Sequence, residues 1–287
     1  MYLKIDEHKS LEEIPDYYNF QRPHVIRGGC KSMKIFSVKD KLQLLFHYLK
    51  DDILQTEVYD TLTEMESTNV KKYIDQKFSK TFDNIVNDKR PHNYIADTDL
   101  MDPENMINND LRQYFNYKID TNRTNNGVLL FFGNNSRSGA HIHTGNDYVL
   151  NQIYGKKTIY MFDYYDNPIE TFPLFSDRPN FLKENLFKLD HSKLKIYKAD
   201  LNEGDTITIP PWWWHSAQAE GLSMSITKTY PRSNQFFLLT HPRILTLILI
   251  EIFETYKSDA FMLIQYPELS ILLILVLTTI LLYIYVK

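Results

Sequence analysis

The pattern of hydrophobic and polar positions changes near residue 127. Before it, a helical stretch over residues 37–52, with Ser37 as its predicted N-cap, accompanies extended pieces such as RPHVIRGG. After it come short β-rich runs separated by polar turns, namely GVLLFFG, DYVLNQIYG, KKTIYMF, KLKIYKADL, DTITIP and LSMSITKTY. Such spacing favours an antiparallel sandwich or barrel over alternating strands and helices. We therefore predict a mainly β fold with flanking helices.

The C-terminal pattern is different again. Residues 243–257 read as an apolar helix that docks on the β-rich part or mediates a homodimer. Residues 269–286 carry no charge, and as a helix they would extend roughly 27 Å, close to a hydrocarbon thickness of about 30 Å. A buried core helix is the alternative to a transmembrane tail anchor. The predicted organisation is an N-terminal region (1–120), a β-rich domain (121–240), an apolar helix and linker (241–265) and a membrane anchor (269–286).

Composition and charge narrow the class of protein. Of the 287 residues 43% are hydrophobic and 24% charged, as in an ordinary globular protein. Lys and Arg number 32 against 36 Asp and Glu, so the basic excess used to bind phosphate backbones is missing and no nucleic-acid partner is expected. The single cysteine, Cys30, and the lack of a charged-then-apolar leader favour a reducing compartment. We expect a membrane protein whose main domain faces the cytosol.

Three histidines are the candidate metal-binding residues. His141 and His143 are one residue apart in a stretch that reads as a strand, so their side chains are predicted to share a face. His215 follows three tryptophans, Trp212–Trp214, which either pack at a barrel rim or form a substrate platform. Two imidazoles from one strand and a third from a later strand suit a single metal ion. The spacing alone also fits surface or core histidines.

Several motifs, in order, carry a resemblance to a known family. SGAHIH, NQIYGKKTIYMF and EGDTITIPPWWWH together resemble the JmjC-type cupin-like oxygenases, the protein hydroxylases and demethylases that depend on iron(II) and 2-oxoglutarate. RPHVIRGG and HNYIADTDL look like strands that precede the barrel in the hydroxylase branch. The resemblance covers roughly residues 12 to 232 and implies a double-stranded β-helix, the cupin or jelly-roll barrel.

The resemblance also implies roles for individual residues. His141 and His215 match metal ligands, and His143 stands where the family has Asp or Glu. A further set matches positions that hold 2-oxoglutarate, with the lysine ammonium pairing with the far carboxylate: Lys157, Ser138, Tyr94 and Thr227.

His143 changes the charge of the implied site. A carboxylate cancels one of the two positive charges of iron(II), whereas three neutral imidazoles cancel none. Three interpretations stay open: a working three-histidine site, a site in which Asp147 swings in as the carboxylate, and a barrel that has lost catalysis.

The function implied is an iron(II)- and 2-oxoglutarate-dependent oxygenase that hydroxylates a protein side chain, or demethylates one by the same hydrogen abstraction. The expected partners are a protein or peptide substrate and a membrane; a histone substrate is disfavoured. Two alternatives remain: a catalytically inactive, membrane-tethered binding protein, and a three-histidine dioxygenase that does not use 2-oxoglutarate.

Overall fold

The computed structural model describes residues 2–10, 13–14, 22–66, 72–100, 111, 113–115, 127–143, 146–163, 180–183, 185–189 and 194–231. Apart from Asn180, these residues belong to one compact unit, Met1–Thr171 with Phe181–Arg232. The predicted apolar helix (241–265) and membrane anchor (269–286) lie outside the described residues and stay predictions. Within the ranges described, no helix is both long enough and apolar enough to cross a membrane.

The described residues form a mainly β structure with few helices, which confirms the predicted class. Eleven strands are paired in one sheet. The strands are β1 (Leu3–Lys4), β2 (Asp6–His8), β3 (His24–Ile26), β4 (Ile53–Tyr59), β5 (Lys72–Lys77), β6 (His92–Asp99), β7 (Gly127–Asn134), β8 (Asn146–Asp163), β9 (Tyr197–Leu201), β10 (Thr206–Ile209) and β11 (Trp213–Pro231). The α-helices are α1 (Lys41–Leu49), α2 (Leu62–Glu66) and α3 (Phe78–Val86), and 3-10 turns span Lys34–Ser37 and Leu186–Lys188.

The long antiparallel pair of β8 and β11 organises the sheet. The register of this pair shifts near its middle, where Gly155 and Gly221 both have a φ of about +69°. On one side of the shift, residues 146–154 and 224–231 belong to a major half with the order β2-β3-β10-β8-β11-β7-β6-β4-β5. On the other side, the remaining lengths of the two strands form a minor half, in which β8 also pairs with β9 and β9 with β1. One pair of strands thus serves both halves.

The two halves of the sheet share a hydrophobic core. Leu150 and Ile207 of the major half pack in one buried cluster with Ile159 and Met161 of the minor half. The inner faces of the halves therefore contact each other, because this contact removes their apolar surface from water. Polar side chains on these inner faces lie in the space between the halves.

The opposite face of the major half is covered by helices. Leu45 of α1 and Phe78 of α3 belong to one buried cluster with Phe132, Met224 and other apolar residues. Because side chains alternate along a strand, the neighbours of Phe132 and Met224 face inward. Strands from the predicted N-terminal region also join this half, since β6 pairs with β7.

The predicted N-cap at Ser37 is wrong. Helix α1 begins at Lys41, and the Asp40 carboxylate accepts a hydrogen bond from the backbone N–H of Gln43 at 2.9 Å. Ser37 instead ends a 3-10 turn and donates its hydroxyl hydrogen to the carbonyl of Lys34. The hydroxyl of Ser37 makes its hydrogen bond within a local turn, and the carboxylate three residues later caps the helix.

Candidate metal centre

A pair of backbone hydrogen bonds brings His141 and His215 together. The N–H of each residue donates to the carbonyl of the other, at 3.0 Å and 2.9 Å, so their side chains lie side by side. Their ring centroids are 4.3 Å apart, and the His143 ring is 4.9 Å from both. One ligand atom from each ring lies within 4.8 Å of the others. The structure thus gathers the three histidines that the sequence singled out.

The local structure of the first two histidines differs from the prediction. His141 forms isolated bridges, with His215 on one side and Phe181 on the other, and His143 lies in irregular structure after it. Two contacts hold His143 instead. The N–H of Trp212 donates to the carbonyl of His143 at 3.0 Å, and the His143 ring stacks on the Tyr148 ring with the ring centroids 3.7 Å apart. The predicted regular strand is therefore wrong, although the two rings do converge.

Hydrogen bonds to backbone carbonyls fix the tautomers of two of these rings. Nδ1 of His141 is 2.9 Å from the carbonyl oxygen of Gly139, and Nδ1 of His215 is 3.0 Å from the carbonyl oxygen of Trp213. A carbonyl oxygen only accepts, so each Nδ1 carries the hydrogen and donates it. The lone pair then lies on Nε2, the arrangement found in an imidazole that serves as a metal ligand.

Burial keeps the rings of His143 and His215 uncharged. It lowers the pKa of His215 to about 4, and it lowers the pKa of His143 well below the usual value, with smaller contributions from the charges of His215 and His141. Neutral imidazoles suit zinc, iron, copper and nickel, with ligand bonds of about 2.0–2.1 Å for zinc. The donor set therefore fits a divalent transition metal, and His143 and His215 need lose no proton to bind it.

Asp147 does not complete this cluster. It lies on β8 opposite Tyr230 of β11 and is fully buried, and its neighbour Tyr148 stacks on His143. Side chains alternate along a strand, so Asp147 points to the opposite face from Tyr148. Among the described residues the metal-binding cluster contains three histidines and no carboxylate. The idea that Asp147 replaces the missing carboxylate is not supported.

Lys157 reaches from the minor half into the space between the halves. Its side chain is buried, its ammonium donates to the hydroxyl of Ser225, and it lies 5.5 Å from the centre of the Phe131 ring. Burial lowers the pKa of this ammonium to about 7. No carboxylate in the described part of the chain pairs with it. A buried cation of this kind is compensated well by an anionic ligand.

The other residues predicted to hold 2-oxoglutarate differ in how close they come to Lys157. Thr227 follows Ser225 on the same face of β11, and its buried hydroxyl has no hydrogen-bond partner within the described residues. Tyr94 is buried in one cluster with Phe131, and burial raises its pKa. Ser138 accepts a hydrogen bond from the N–H of Ala217 at 2.9 Å, close in sequence to His215. Their roles toward a ligand stay predictions.

Sequence reasoning missed four residues that shape the site. Ser225 could have been found, because it alternates with Thr227 on the same strand. Phe131, Tyr148 and Phe181 carry no such signal, since their contacts with Lys157, His143 and His141 cross between distant segments.

The three tryptophans are packing residues. Each of them is at most 5% exposed, and Trp213 belongs to the core between the two halves. Their burial agrees with the packing interpretation and leaves no exposed ring to serve as a substrate platform.

The comparisons with known proteins agree with this architecture. A family model described as a cupin-like domain matches residues 10–236, nearly the range over which the motifs resemble that family. No match was found among curated proteins. The mainly β structure is consistent with a cupin or jelly-roll fold, and its histidine cluster is compatible with metal binding. This chain belongs to the cupin-like domain family.

Proposed function

We propose that this protein is an iron(II)- and 2-oxoglutarate-dependent oxygenase of the JmjC hydroxylase branch, built on a double-stranded β-helix barrel. The observation that carries the proposal is the combination of three clustered imidazoles, two of which donate from Nδ1 to a backbone carbonyl, and a buried ammonium in the space between the two halves of the sheet. A binding protein without a ligand in this space would have no use for either feature, and each lowers stability when left uncompensated.

The spacing along β8 and β11 supports a ligand that joins the two features. His215 pairs with Met161, and Lys157 is four residues from Met161 on the same strand face. At about 3.3 Å per residue, this corresponds to roughly 13 Å along the strand. A lysine stem together with a short dicarboxylate fills such a span. The orphaned hydroxyl of Thr227 offers the ligand a further hydrogen bond.

The charges favour the same co-substrate. Three neutral imidazoles leave the full charge of a divalent ion, and the ammonium of Lys157 adds one more. A dianion would neutralise most of this charge inside a low-dielectric space, where attraction is strong. The histidine in place of the family carboxylate therefore strengthens the electrostatic attraction for 2-oxoglutarate even though it weakens the attraction for iron.

Bound iron(II) would supply the oxygen chemistry, in which 2-oxoglutarate is oxidised to succinate and carbon dioxide while one oxygen atom of O₂ enters the substrate. His141, His143 and His215 would hold the metal, and Lys157, Thr227, Tyr94 and Ser138 would hold and orient the co-substrate. The proposed substrate is a protein or peptide side chain. We further propose that residues 269–286 tether the enzyme to a membrane with the barrel in the cytosol, and that residues 243–257 support a homodimer.

The test is succinate release by the full-length protein, stripped of metal and reloaded with iron(II). We expect succinate to form from 2-oxoglutarate and both iron and succinate to be lost in His215→Ala. Lys157→Met should keep the iron and lose the succinate. His47→Ala is the matched control, because His47 is an exposed histidine on α1.

Two other results would replace the proposal. Iron without succinate, unchanged in Lys157→Met, would favour the three-histidine dioxygenase that uses no 2-oxoglutarate. Failure to bind iron at all would favour a binding protein that has kept only the fold.

His143→Asp tests the effect of charge in the centre. A carboxylate at this position adds a negative charge next to the metal, so iron(II) should bind about ten-fold more tightly or better, which needs only about 1.4 kcal/mol of net attraction. Iron affinity is measured by competition with a chelator, and turnover is measured beside it. Unchanged or weaker iron affinity would show that His143 does not face the metal.

A further inference from the structure

A second group of metal-ligating side chains lies on the edge of the major half, on β2 and β3. The two strands run parallel, with Asp6 opposite His24 and His8 opposite Ile26. Side chains alternate along each strand, so Asp6, His8 and His24 share one face. Sequence spacing did not reveal this group, because sixteen residues separate the two histidines.

The two imidazoles are already at the separation of ligands to one ion. Nε2 of His8 is 3.0 Å from Nδ1 of His24, and the ring centroids are 5.0 Å apart. Two nitrogens that bind one tetrahedral zinc at about 2.05 Å lie about 3.3 Å from each other. A shift of a few tenths of an ångström is therefore enough to admit an ion between them.

The surroundings add a carboxylate and a fixed backbone. Asp6 is exposed and attracts the charge of His24, whereas His8 repels it. The N–H of His24 donates to the hydroxyl of Thr208 at 3.0 Å. On the other face of the same strands, Arg27 bridges Glu7 at 2.8 Å and Asp205 at 2.6 Å. Among the described residues, three ligand atoms already lie within 4.8 Å of one another only at the three-histidine centre, so the Asp6 carboxylate would have to turn toward the two rings.

We propose that Asp6, His8 and His24 bind a divalent ion of the zinc class, at a site separate from the three-histidine centre. Two imidazoles and a carboxylate are a common ligand set for zinc, and water completes the shell at this partly exposed edge. The hydrogen of the present contact between the rings would move to the other nitrogen of the same imidazole, so both rings would bind the ion as neutral ligands. Because it would bind β2 and β3 in their folded arrangement, it would also stabilise the fold. The proposal does not depend on the oxygenase function.

The test counts zinc in the full-length protein after removal of any affinity tag. In a His141→Ala/His215→Ala background, which silences the three-histidine centre, we expect one zinc ion by competition with a chromogenic chelator. Adding His24→Gln or His8→Gln should weaken zinc binding by more than about 100-fold, because each removes a ligand rather than a group that only orients one. Adding His47→Gln should change nothing, and zinc should raise the melting temperature only where it binds.

A background variant that binds no zinc, or binds it equally well after His24→Gln, overturns the proposal and leaves a simple hydrogen bond between the rings. If far-UV circular dichroism shows that the background is unfolded, the single variants of the otherwise unchanged protein decide the matter. There we expect two zinc ions, falling to one in His24→Gln; an unchanged count would again reject the site.

Discussion

At the scale of the residue, the titration of Lys157 links stability to ligand binding. Its pKa in the folded protein, about 7, lies below the ordinary value of 10.5 because the ammonium is buried. Between these values the unfolded chain binds more protons, so the stability of the ligand-free protein rises with pH across this window. Below about pH 7 the folded protein carries the whole cost of the buried charge.

Lys157→Met should therefore stabilise the ligand-free protein. We expect a gain of about 2 kcal/mol near pH 7, since an apolar side chain of similar length replaces an uncompensated cation. The gain should shrink as the pH rises from about 7 toward about 10, because the unfolded wild-type chain then also loses the proton of this lysine. Urea unfolding at several pH values measures it, and Lys156→Met, at an exposed neighbour, is the control. A variant less stable than wild type near pH 7 would mean that an anion already compensates the ammonium.

At the scale of the element, the bend in β8 and β11 depends on two glycines that play unequal parts. Both have a φ of about +69°, where a side chain is strained. A Cβ on Gly155 would lie 2.1 Å from the backbone carbonyl oxygen of Leu222, whereas a Cβ on Gly221 would meet nothing within 4 Å. A side chain at residue 155 is disfavoured by backbone strain and by steric contact, and a side chain at residue 221 by backbone strain alone.

The two alanine variants separate these causes. Gly221→Ala should cost about 1 kcal/mol of unfolding free energy, the usual cost of a left-handed backbone at a residue with a side chain. Gly155→Ala should cost more than about 3 kcal/mol, because the backbone of β11 must also move. Chemical denaturation of both proteins gives the difference. Equal costs would show that the strands separate at this point without affecting the rest of the sheet.

At the scale of the whole molecule, Glu66 ties distant segments to the candidate metal centre. Its carboxylate pairs with Arg137 and accepts hydrogen bonds from Asn185 at 3.0 Å and Gln218 at 3.2 Å. Arg137 and Gln218 form a bridge next to the one between His141 and His215. One buried carboxylate at the end of α2 thus holds the segment with the first two histidines against β11.

Glu66→Ala should lower the unfolding free energy by about 2 kcal/mol, since three partly buried donors lose their acceptor. It should also weaken metal binding, because the segment that carries His141 is less firmly placed. Glu203→Ala, which breaks the more exposed pair with Lys41, should cost less than about 0.5 kcal/mol. Thermal unfolding and metal titration of both variants provide the comparison. If the two variants bound the metal equally well, Glu66 would have only a structural role.

The sequence by itself determined the class of fold, the family and the three imidazoles. Alternation of apolar residues is local, so each strand from Gly127 onward could be read from neighbouring positions. Lys157 and Thr227 stood out through motifs of the family. Local signals also misled, at Ser37, where a competing turn used the hydroxyl, and at His141–His143, where convergence of the rings did not require a regular strand.

Only the tertiary structure decided which distant residues meet. The bridge between His141 and His215, the reach of Lys157 to Ser225, and the contact of His8 with His24 all join segments whose relative register is set by the packing of two sheet halves. The same packing turned Asp147 away from the histidine cluster, and it buried His215 and the Lys157 ammonium deeply enough to lower their pKa values. Register and burial are sums over many long-range contacts, and no short stretch of sequence contains them.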